Sequence, residues 1–238
     1  MAKALAKRFY KAVSVEAFED RWRVLLDGKQ LRTPGKMKLV LPAKPLAEII
    51  AAEWDAQTDK INPSTMPVTR FANVACEQTP LRRGDLVEEA LRYAKTDLIC
   101  YRASQPRILV ERQAEAWDSW REWAQVQGVA LNITNTVTAI EQPATALVRV
   151  RDFAEALDDM SLTLFVHLIA VYGSVVLAMA VMQRALDPET AFDLSRIDHN
   201  YQIELWGEDE EQAEIDAALR EETKILGNLL EAFTWLIP

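Results

Sequence analysis

Residues 162–182 have the sequence LTLFVHLIAVYGSVVLAMAVM, which contains no Asp, Glu, Lys or Arg. A run of this length and hydrophobicity is long enough to span a bilayer. Gly173 and Ser174 divide it, however, because glycine often ends a helix in the left-handed conformation and serine caps the start of the next helix. His167 would also be costly in lipid. We therefore predict two short buried helices in a bundle, with a membrane span as the less favoured alternative.

A further helix signal follows this run. Asp187, Pro188 and Glu189 combine a capping side chain, a proline in the first turn and an acid near the positive end of the helix dipole. We expect this helix to extend to about Trp206. A last, highly charged helix begins near Glu208. Its apolar stripe is narrow and consists of Ile215, Leu219, Thr223 and Leu226.

Upstream of the run, the apolar period predicts helices from Asp85 onward. Trp117 and Trp120 share one face of such a helix, which Gly128 can end. Core packing is the preferred explanation for these tryptophans; the alternative is an aromatic anchor for a partner, because Trp is enriched in binding hot spots. Residues 129–137, VALNITNTV, favour a short β segment.

The beginning of the chain has a different pattern. Between residues 9 and 42 apolar runs are separated by turns, with Asp27-Gly28 as a strong hairpin signal and Pro34-Gly35 as a second turn. The apolar period then becomes helical, at Leu46, Ile49, Ile50 and Trp54. Residues 60–70, KINPSTMPVTR, are expected to form a connection. The sequence thus predicts an α+β protein, with a small β-rich domain and its packed helix at 1–78 and a larger all-α helical bundle at 79–238.

Composition narrows the functional classes. Half of the residues are hydrophobic, and 36 acidic residues against 27 basic ones give a formal net charge of -9. An acidic chain of this kind is not expected to bind nucleic acid or anionic membrane by broad electrostatics. Cys76 and Cys100 are too few for a disulfide framework and lack the spacing of a zinc or redox site. A reducing compartment fits this usage best.

Catalytic and cofactor motifs are missing from the sequence. No glycine-rich phosphate loop, H-E-x-x-H or G-x-S-x-G occurs, and neighbouring acids such as Glu88-Glu89 point in different directions on a helix. His167 is expected to be a hydrogen-bonded core residue and His199 a solvated surface residue. We therefore expect no enzymatic activity, no cofactor and no metal.

Several segments resemble a known family. They are FYKAVSV at 9–15, LLDGKQLRTP at 25–34, EWDAQ at 53–57, TDLICYR at 96–102 and SRIDHNYQIELWGEDEE at 195–211. In this order they are similar to the assembly chaperone family for the catalytic head of F-type ATP synthase, found in mitochondria and alphaproteobacteria. The likeness covers nearly the whole chain, and the fold known for that family is similar to the one predicted from the residues.

The resemblance implies a chaperone that binds the unassembled α subunit and prevents its aggregation until the β subunit replaces it. The matching motifs imply a partner-binding set formed by Trp54, Asp55, Asp97, Tyr101, Tyr201, Gln202, Trp206, Gly207, Glu208 and Glu210. The sequence departs from the family at Asp198-His199-Asn200, where relatives tend to be more acidic. Negative charge at His199 and Asn200 is therefore not expected to be required.

Two other functions stay open at this point. One is a small cytoplasmic enzyme with a carboxylate site assembled from distant residues, and the other is an adaptor with a different client. The amino terminus, MAKALAKRFYK, is basic without an apolar segment and is expected to be that of the mature protein. We expect a monomer when free, in the bacterial cytoplasm, or in the mitochondrial matrix if the source is eukaryotic.

Overall fold

The computed structural model describes residues 5–136 and 138–232. A small antiparallel sheet stands at the beginning, with β1 (Val13–Phe18), β2 (Arg21–Leu26) and β3 (Lys29–Gln30) in the order β1-β2-β3. Asp27 and Gly28 connect β2 to β3 with φ angles of 47° and 75°. A two-residue loop with positive φ at both positions matches the right-handed twist of the strands, so the predicted hairpin is confirmed.

One face of this sheet is covered by α1 (Lys44–Asp55). Val24 and Leu26 alternate along β2 and are buried, as are Leu46 and Ile50 on α1. These residues are spaced by two on the strand and by four on the helix, the periods that place side chains on one face of each element. The helix predicted from the apolar period is therefore present and packs on the sheet.

The expectation of a loop over residues 60–70 is wrong in its second half. A helix, α2 (Pro67–Glu77), begins within this segment. The Glu53 carboxylate accepts hydrogen bonds of 2.7 Å from the backbone amides of Val68 and Thr69, which occupies N–H groups that the first turn leaves free. The expectation failed because Pro67 was interpreted as a turn former, whereas proline at the first helical position favours a helix.

The rest of the described chain is helical. The helices are α3 (Thr79–Lys95), α4 (Arg107–Val126), α5 (Ala144–Ala156), α6 (Asp159–Tyr172), α7 (Val175–Met182), α8 (Pro188–Ser195), α9 (Ile197–Trp206) and α10 (Glu210–Ala232). The predicted α+β architecture is thus confirmed. The expected β segment at 129–137 is reduced, within its described residues, to one parallel bridge between Tyr101 and Thr134. The helix expected from Asp187 to Trp206 is broken at Arg196, where φ is -104° and ψ is 8°.

Helices α6 and α7 form the buried centre of this region. Gly173 ends α6 with φ of 66°, and the Ser174 hydroxyl caps α7 by accepting a hydrogen bond of 3.1 Å from the Leu177 amide. Every residue of α7 is buried. Among the described residues no helix is long and apolar enough to cross a bilayer. The prediction of two buried helices is confirmed.

The chain forms two compact units. One takes in the described residues up to Arg83 together with those from Asn228 onward, and the other spans Gly84–Gly227. The core of the second unit includes Trp117, whose indole N–H donates a hydrogen bond of 2.8 Å to the Leu194 carbonyl. The domain division at residue 78 stays a prediction from sequence.

Candidate functional site

A long uncovered segment lies near the end of the second unit. From Asp193 to Glu222, through α9 and half of α10, no residue is buried. The apolar residues of α9 do not form one stripe: Ile197, Tyr201 and Leu205 project to one side of the helix and Ile203 and Trp206 to another, because successive residues are rotated by about 100°. Packing one side of α9 on the bundle therefore leaves the other side open to water.

Polar contacts connect α9 to its neighbours. Arg112 on α4 donates a hydrogen bond of 2.7 Å to Glu204, and its guanidinium lies 5.6 Å from the Tyr201 ring centre. Gln113 donates a hydrogen bond of 2.5 Å to Asp198. The hydrogen bond from Arg112 lowers the pKa of Glu204. Because exposed ion pairs contribute little stability, the Arg112–Glu204 pair adds little to the attachment of α9.

The two histidines occupy different surroundings. Nδ1 of His167 lies 2.9 Å from the Thr163 carbonyl, four residues earlier on α6, in agreement with a hydrogen-bonded histidine. His199 is half-buried on α9 and pairs with Asp216 of α10, so the expected solvated position is wrong. This pair joins α9 to α10 and accounts for a histidine that its polar neighbours in sequence had placed in solvent.

The end of α9 exposes two large apolar side chains. Leu205 is 55% exposed and Trp206 is 77% exposed. Gly207 follows with φ of 86°, a conformation that ends the helix and favours glycine. Ile108 and Ile215, on the neighbouring helices α4 and α10, are also exposed apolar residues. Consecutive exposed apolar side chains such as Leu205 and Trp206 are typical of a surface that a partner covers.

The charge of the same segment has one sign. Residues 197–219 contain no Lys or Arg and eight acids, out of a chain with a formal net charge of -9. The acids are Asp198, Glu204, Glu208, Asp209, Glu210, Glu211, Glu214 and Asp216. We call residues 197–219 the α9–α10 segment. It combines exposed apolar side chains with a strong negative potential.

Trp54 and Asp55 lie in the first unit, at the end of α1. The Trp54 ring centre is 5.6 Å from that of Tyr10, and the Tyr10 hydroxyl donates a hydrogen bond of 2.6 Å to the Trp54 carbonyl. Partial burial is the main cause that raises the pKa of Tyr10. Asp55 is exposed and pairs with Arg8 at 3.4 Å. Both residues therefore connect the beginning of the chain to α1.

Asp97 has no exposed surface. Its carboxylate accepts hydrogen bonds from the Ser174 hydroxyl at 2.7 Å and from the backbone amides of Val175, Val176 and Ile99 at 2.7, 3.1 and 3.2 Å. Desolvation raises its pKa to about 6, against the opposing effect of these donors. Asp97 thus closes the start of α7 and the short turn at Leu98–Cys100.

The family model for the ATP12 chaperone protein matches residues 7–125, and the structure of Atp12 from Paracoccus denitrificans superimposes with a TM-score of 0.88 at 39% identity, over 94% of this chain and 97% of that chain. The chain belongs to the ATP12 chaperone family. The resemblance drawn from the sequence motifs is confirmed.

Two other relatives agree with this family. The Atu1473 protein of Agrobacterium tumefaciens has a TM-score of 0.88 at 37% identity, over 96% of this chain and 86% of that chain. The mitochondrial protein atp12 of Schizosaccharomyces pombe is 24% identical over 223 residues, which cover 88% of this chain and 77% of the yeast protein.

The ATP12 motif residues are divided between the two units. Those brought together are Tyr201, Gln202, Trp206, Gly207, Glu208 and Glu210, on α9 and at the start of α10. Trp54 and Asp55 belong to the other unit, Asp97 is interior, and Tyr101 is half-buried beside its backbone bridge to Thr134. Direct contact between Asp97 and a partner would require the start of α7 to open.

The partner-binding set predicted from sequence does not include Leu205, Ile108 or Arg112 of this ATP12 chaperone. The exposure of Leu205 was detectable, because the apolar residues of α9 lie on opposing sides of the helix. Ile108 and Arg112 were not detectable, because the exposure of Ile108 and the contact of Arg112 with Glu204 depend on how α4 packs in the fold.

Proposed function

We propose that this chain is an assembly chaperone that binds the unassembled α subunit of F-type ATP synthase. It prevents aggregation of that subunit until the β subunit takes its place, and it does so without enzymatic activity. Membership of the ATP12 chaperone family carries this proposal. The uncovered apolar residues of the α9–α10 segment support it, since a chaperone must present apolar surface to its client.

The physical basis is a competition between interfaces. An α subunit without its neighbours exposes apolar surface that promotes aggregation. A chaperone that covers this surface lowers the concentration of the aggregation-prone form by mass action. When the β subunit arrives, a larger interface displaces the chaperone, so the cycle needs no nucleotide hydrolysis and no metal or cofactor.

We place the main client contact on Tyr201, Gln202, Trp206, Gly207, Glu208 and Glu210. In this proposal Trp206 is the apolar anchor, and the acids steer the encounter. Trp54, Asp55 and Tyr101 are secondary candidates. Asp97 acts by maintaining α7, because all of its surface is inside the protein. We further propose a monomer when free, located in the bacterial cytoplasm or the mitochondrial matrix.

The alternatives differ in what they would bind. An enzyme with a carboxylate site assembled from distant residues would need an accessible carboxyl group of perturbed pKa in a cleft. Asp97, whose pKa is raised, is buried and hydrogen-bonded to Ser174 and the start of α7. An adaptor for another client would use the same exposed surface, so only a binding experiment separates it from the leading proposal.

Co-purification tests the function directly. The full chain is expressed with the α subunit alone, the β subunit alone, or both, from the same organism. We expect the α subunit alone to be retained and to stay soluble, and the β subunit to release it. Val126 is 82% exposed at the end of α4, so Val126→Ala is the matched control for Trp206→Ala. Retention of neither subunit would overturn the proposed function.

A further inference from the structure

We propose that the α9–α10 segment binds a peptide segment in which an apolar side chain is flanked by Lys and Arg. This inference rests on the proposed function, because the bound peptide segment belongs to the client. It adds the chemistry of that peptide segment. The element that changes on binding is α9.

Trp206 and Leu205 are the exposed large apolar residues at the end of α9. Both are large, both are more than half exposed, and they are consecutive at the end of α9. No residue between Asp193 and Glu222 is buried, so these side chains are not the edge of an internal core. Tryptophan in such a position provides a large contact area with few rotatable bonds. An apolar side chain of the partner is the group that fits against it.

The acidic residues of the α9–α10 segment differ in whether they form an ion pair. Glu204 is paired with Arg112 and Asp216 with His199. Glu208, Glu210 and Glu214 are exposed and make no ion pair within residues 5–136 and 138–232. A partner with Lys or Arg beside its apolar residue supplies the missing positive charge and gains from the negative potential during encounter.

Other occupants fit this surface less well. Nucleic acid and anionic membrane are repelled by the uninterrupted negative charge of residues 197–219. A second copy of the chain would bring the same acids against themselves. The exposed Trp206 and Leu205, consecutive at the end of α9, also add apolar surface, which a cation alone leaves uncovered. A basic apolar peptide satisfies both features at once.

The mode of attachment of α9 predicts a change on binding. The hydrogen bonds and ion pairs that connect α9 to α4 and α10 are only partly buried, and no residue of α9 is buried. Elements of this kind open more often than fully buried ones. A bound segment that covers Trp206 and Leu205 adds apolar contacts at the exposed end of α9. Backbone amides of α9 are therefore expected to exchange more slowly in the complex.

Peptide binding tests the inference separately from client binding. The probes are a fluorescein-labelled peptide with a central Leu-Phe pair flanked by Lys and Arg, and its twin with Glu at every basic position. Fluorescence anisotropy with the full chain should give binding of the basic peptide at least tenfold tighter than the acidic twin. Binding should weaken as salt is raised from 50 to 300 mM.

Matched variants assign the site. We expect Trp206→Ala, and separately Glu208→Gln with Glu210→Gln, each to weaken binding of the basic peptide about fivefold or more. Val126→Ala, and Glu115→Gln with Glu122→Gln on exposed positions of α4, should change it less than twofold. Hydrogen exchange should show protection of residues 197–206 by the basic peptide.

The outcomes distinguish the two proposals. Equal affinity for both peptides, equal effects of site and control variants, or unchanged exchange of α9 would overturn the inference. If the α subunit is nevertheless retained in co-purification, the proposed function stands without this mode of recognition. If an oligonucleotide or a phosphatidylglycerol vesicle binds more tightly than the basic peptide, the assignment to a peptide segment is overturned.

Discussion

The Asp97 carboxylate accepts a hydrogen bond of 2.7 Å from the Ser174 hydroxyl, 77 residues further along the chain, and both side chains are completely buried. The same carboxylate accepts from the first amides of α7. One acidic residue thus holds together the turn that follows α3 and the start of the most buried helix.

Replacement of Asp97 by Asn should lower the free energy of unfolding by about 3 kcal/mol. The amide NH2 group would face N–H donors, and each buried group that loses its partner costs about 1–3 kcal/mol. Urea unfolding at pH 7.5, followed by circular dichroism, measures the change. Asp152→Asn, at an exposed position on α5, is the control and should stay within about 0.5 kcal/mol of the natural chain.

Protonation of Asp97 should make stability depend on pH. Its pKa in the folded protein is raised to about 6, above the value of about 3.9 for an unfolded chain. The folded state therefore binds the proton more tightly, and the stability that this proton contributes is fully present below pH of about 3.9 and is lost as pH rises through about 6. The difference in unfolding free energy between the natural chain and Asp97→Asn should increase by about 1 kcal/mol from pH 7 to pH 5. A carboxyl ¹³C titration that places this pKa below 4 would contradict the prediction.

Two glycine substitutions should have opposite effects. Gly173 has φ of 66°, so Gly173→Ala is expected to cost about 1–2 kcal/mol although an added Cβ would lie 3.9 Å from the nearest atom, on Leu98. Gly84 lies inside α3 with nothing within 4 Å of an added Cβ, so Gly84→Ala should stabilise by about 0.5–1 kcal/mol. Thermal unfolding measures the melting temperature of both variants. A shift of the two melting temperatures in the same direction would show that the backbone conformation does not decide the effect.

Trp206 and Trp117 should differ sharply in their contribution to folding. Trp206→Ala is expected to change the free energy of unfolding by less than about 0.5 kcal/mol, because the side chain is mostly in water. Trp117→Ala should cost about 3–5 kcal/mol, since it empties a fully buried site and removes the donor to the Leu194 carbonyl. Urea titration measures both. A large loss with Trp206→Ala would mean that α9 depends on it for folding.

Hydrogen exchange in the free protein should rank the helices by burial. Amides of α9 and of the first turns of α10 are expected to exchange through local opening, well before those of α6 and α7. Mass spectrometry of peptic fragments after deuterium labelling resolves these segments. Equal protection of α9 and α7 would show that the polar contacts of α9 hold it more firmly than exposed ion pairs usually do.

Local chemistry accounts for the features that sequence alone predicted. The hairpin at Asp27-Gly28, the break at Gly173-Ser174 and the cap at Asp187 each depend on residues within one turn of each other. Such interactions can be predicted from residues that are close in sequence. The family, too, was identified from motifs that occur in order along the chain.

Errors arose where two local signals competed. Pro67 is both a turn former and a good first residue of a helix, and the Glu53 carboxylate at the end of α1 favours the helix. Residues 129–136 have β-forming side chains, but in the structure they make one bridge to Tyr101. A partner strand is required to extend β structure, and its presence is not a property of the segment itself.

The sequence by itself determined the order and type of most elements, the buried character of α6 and α7 and the excess of acid at residues 197–219. Only the tertiary structure decided that Asp97 is interior while Trp206 is in water, although both lie in family motifs. The physical reason is that burial depends on residues distant in the chain: Asp97 meets Ser174, whereas the far side of α9 meets no described helix. Secondary structure therefore follows from residues that are close in sequence. Which motif residues are buried and which are exposed follows from tertiary packing.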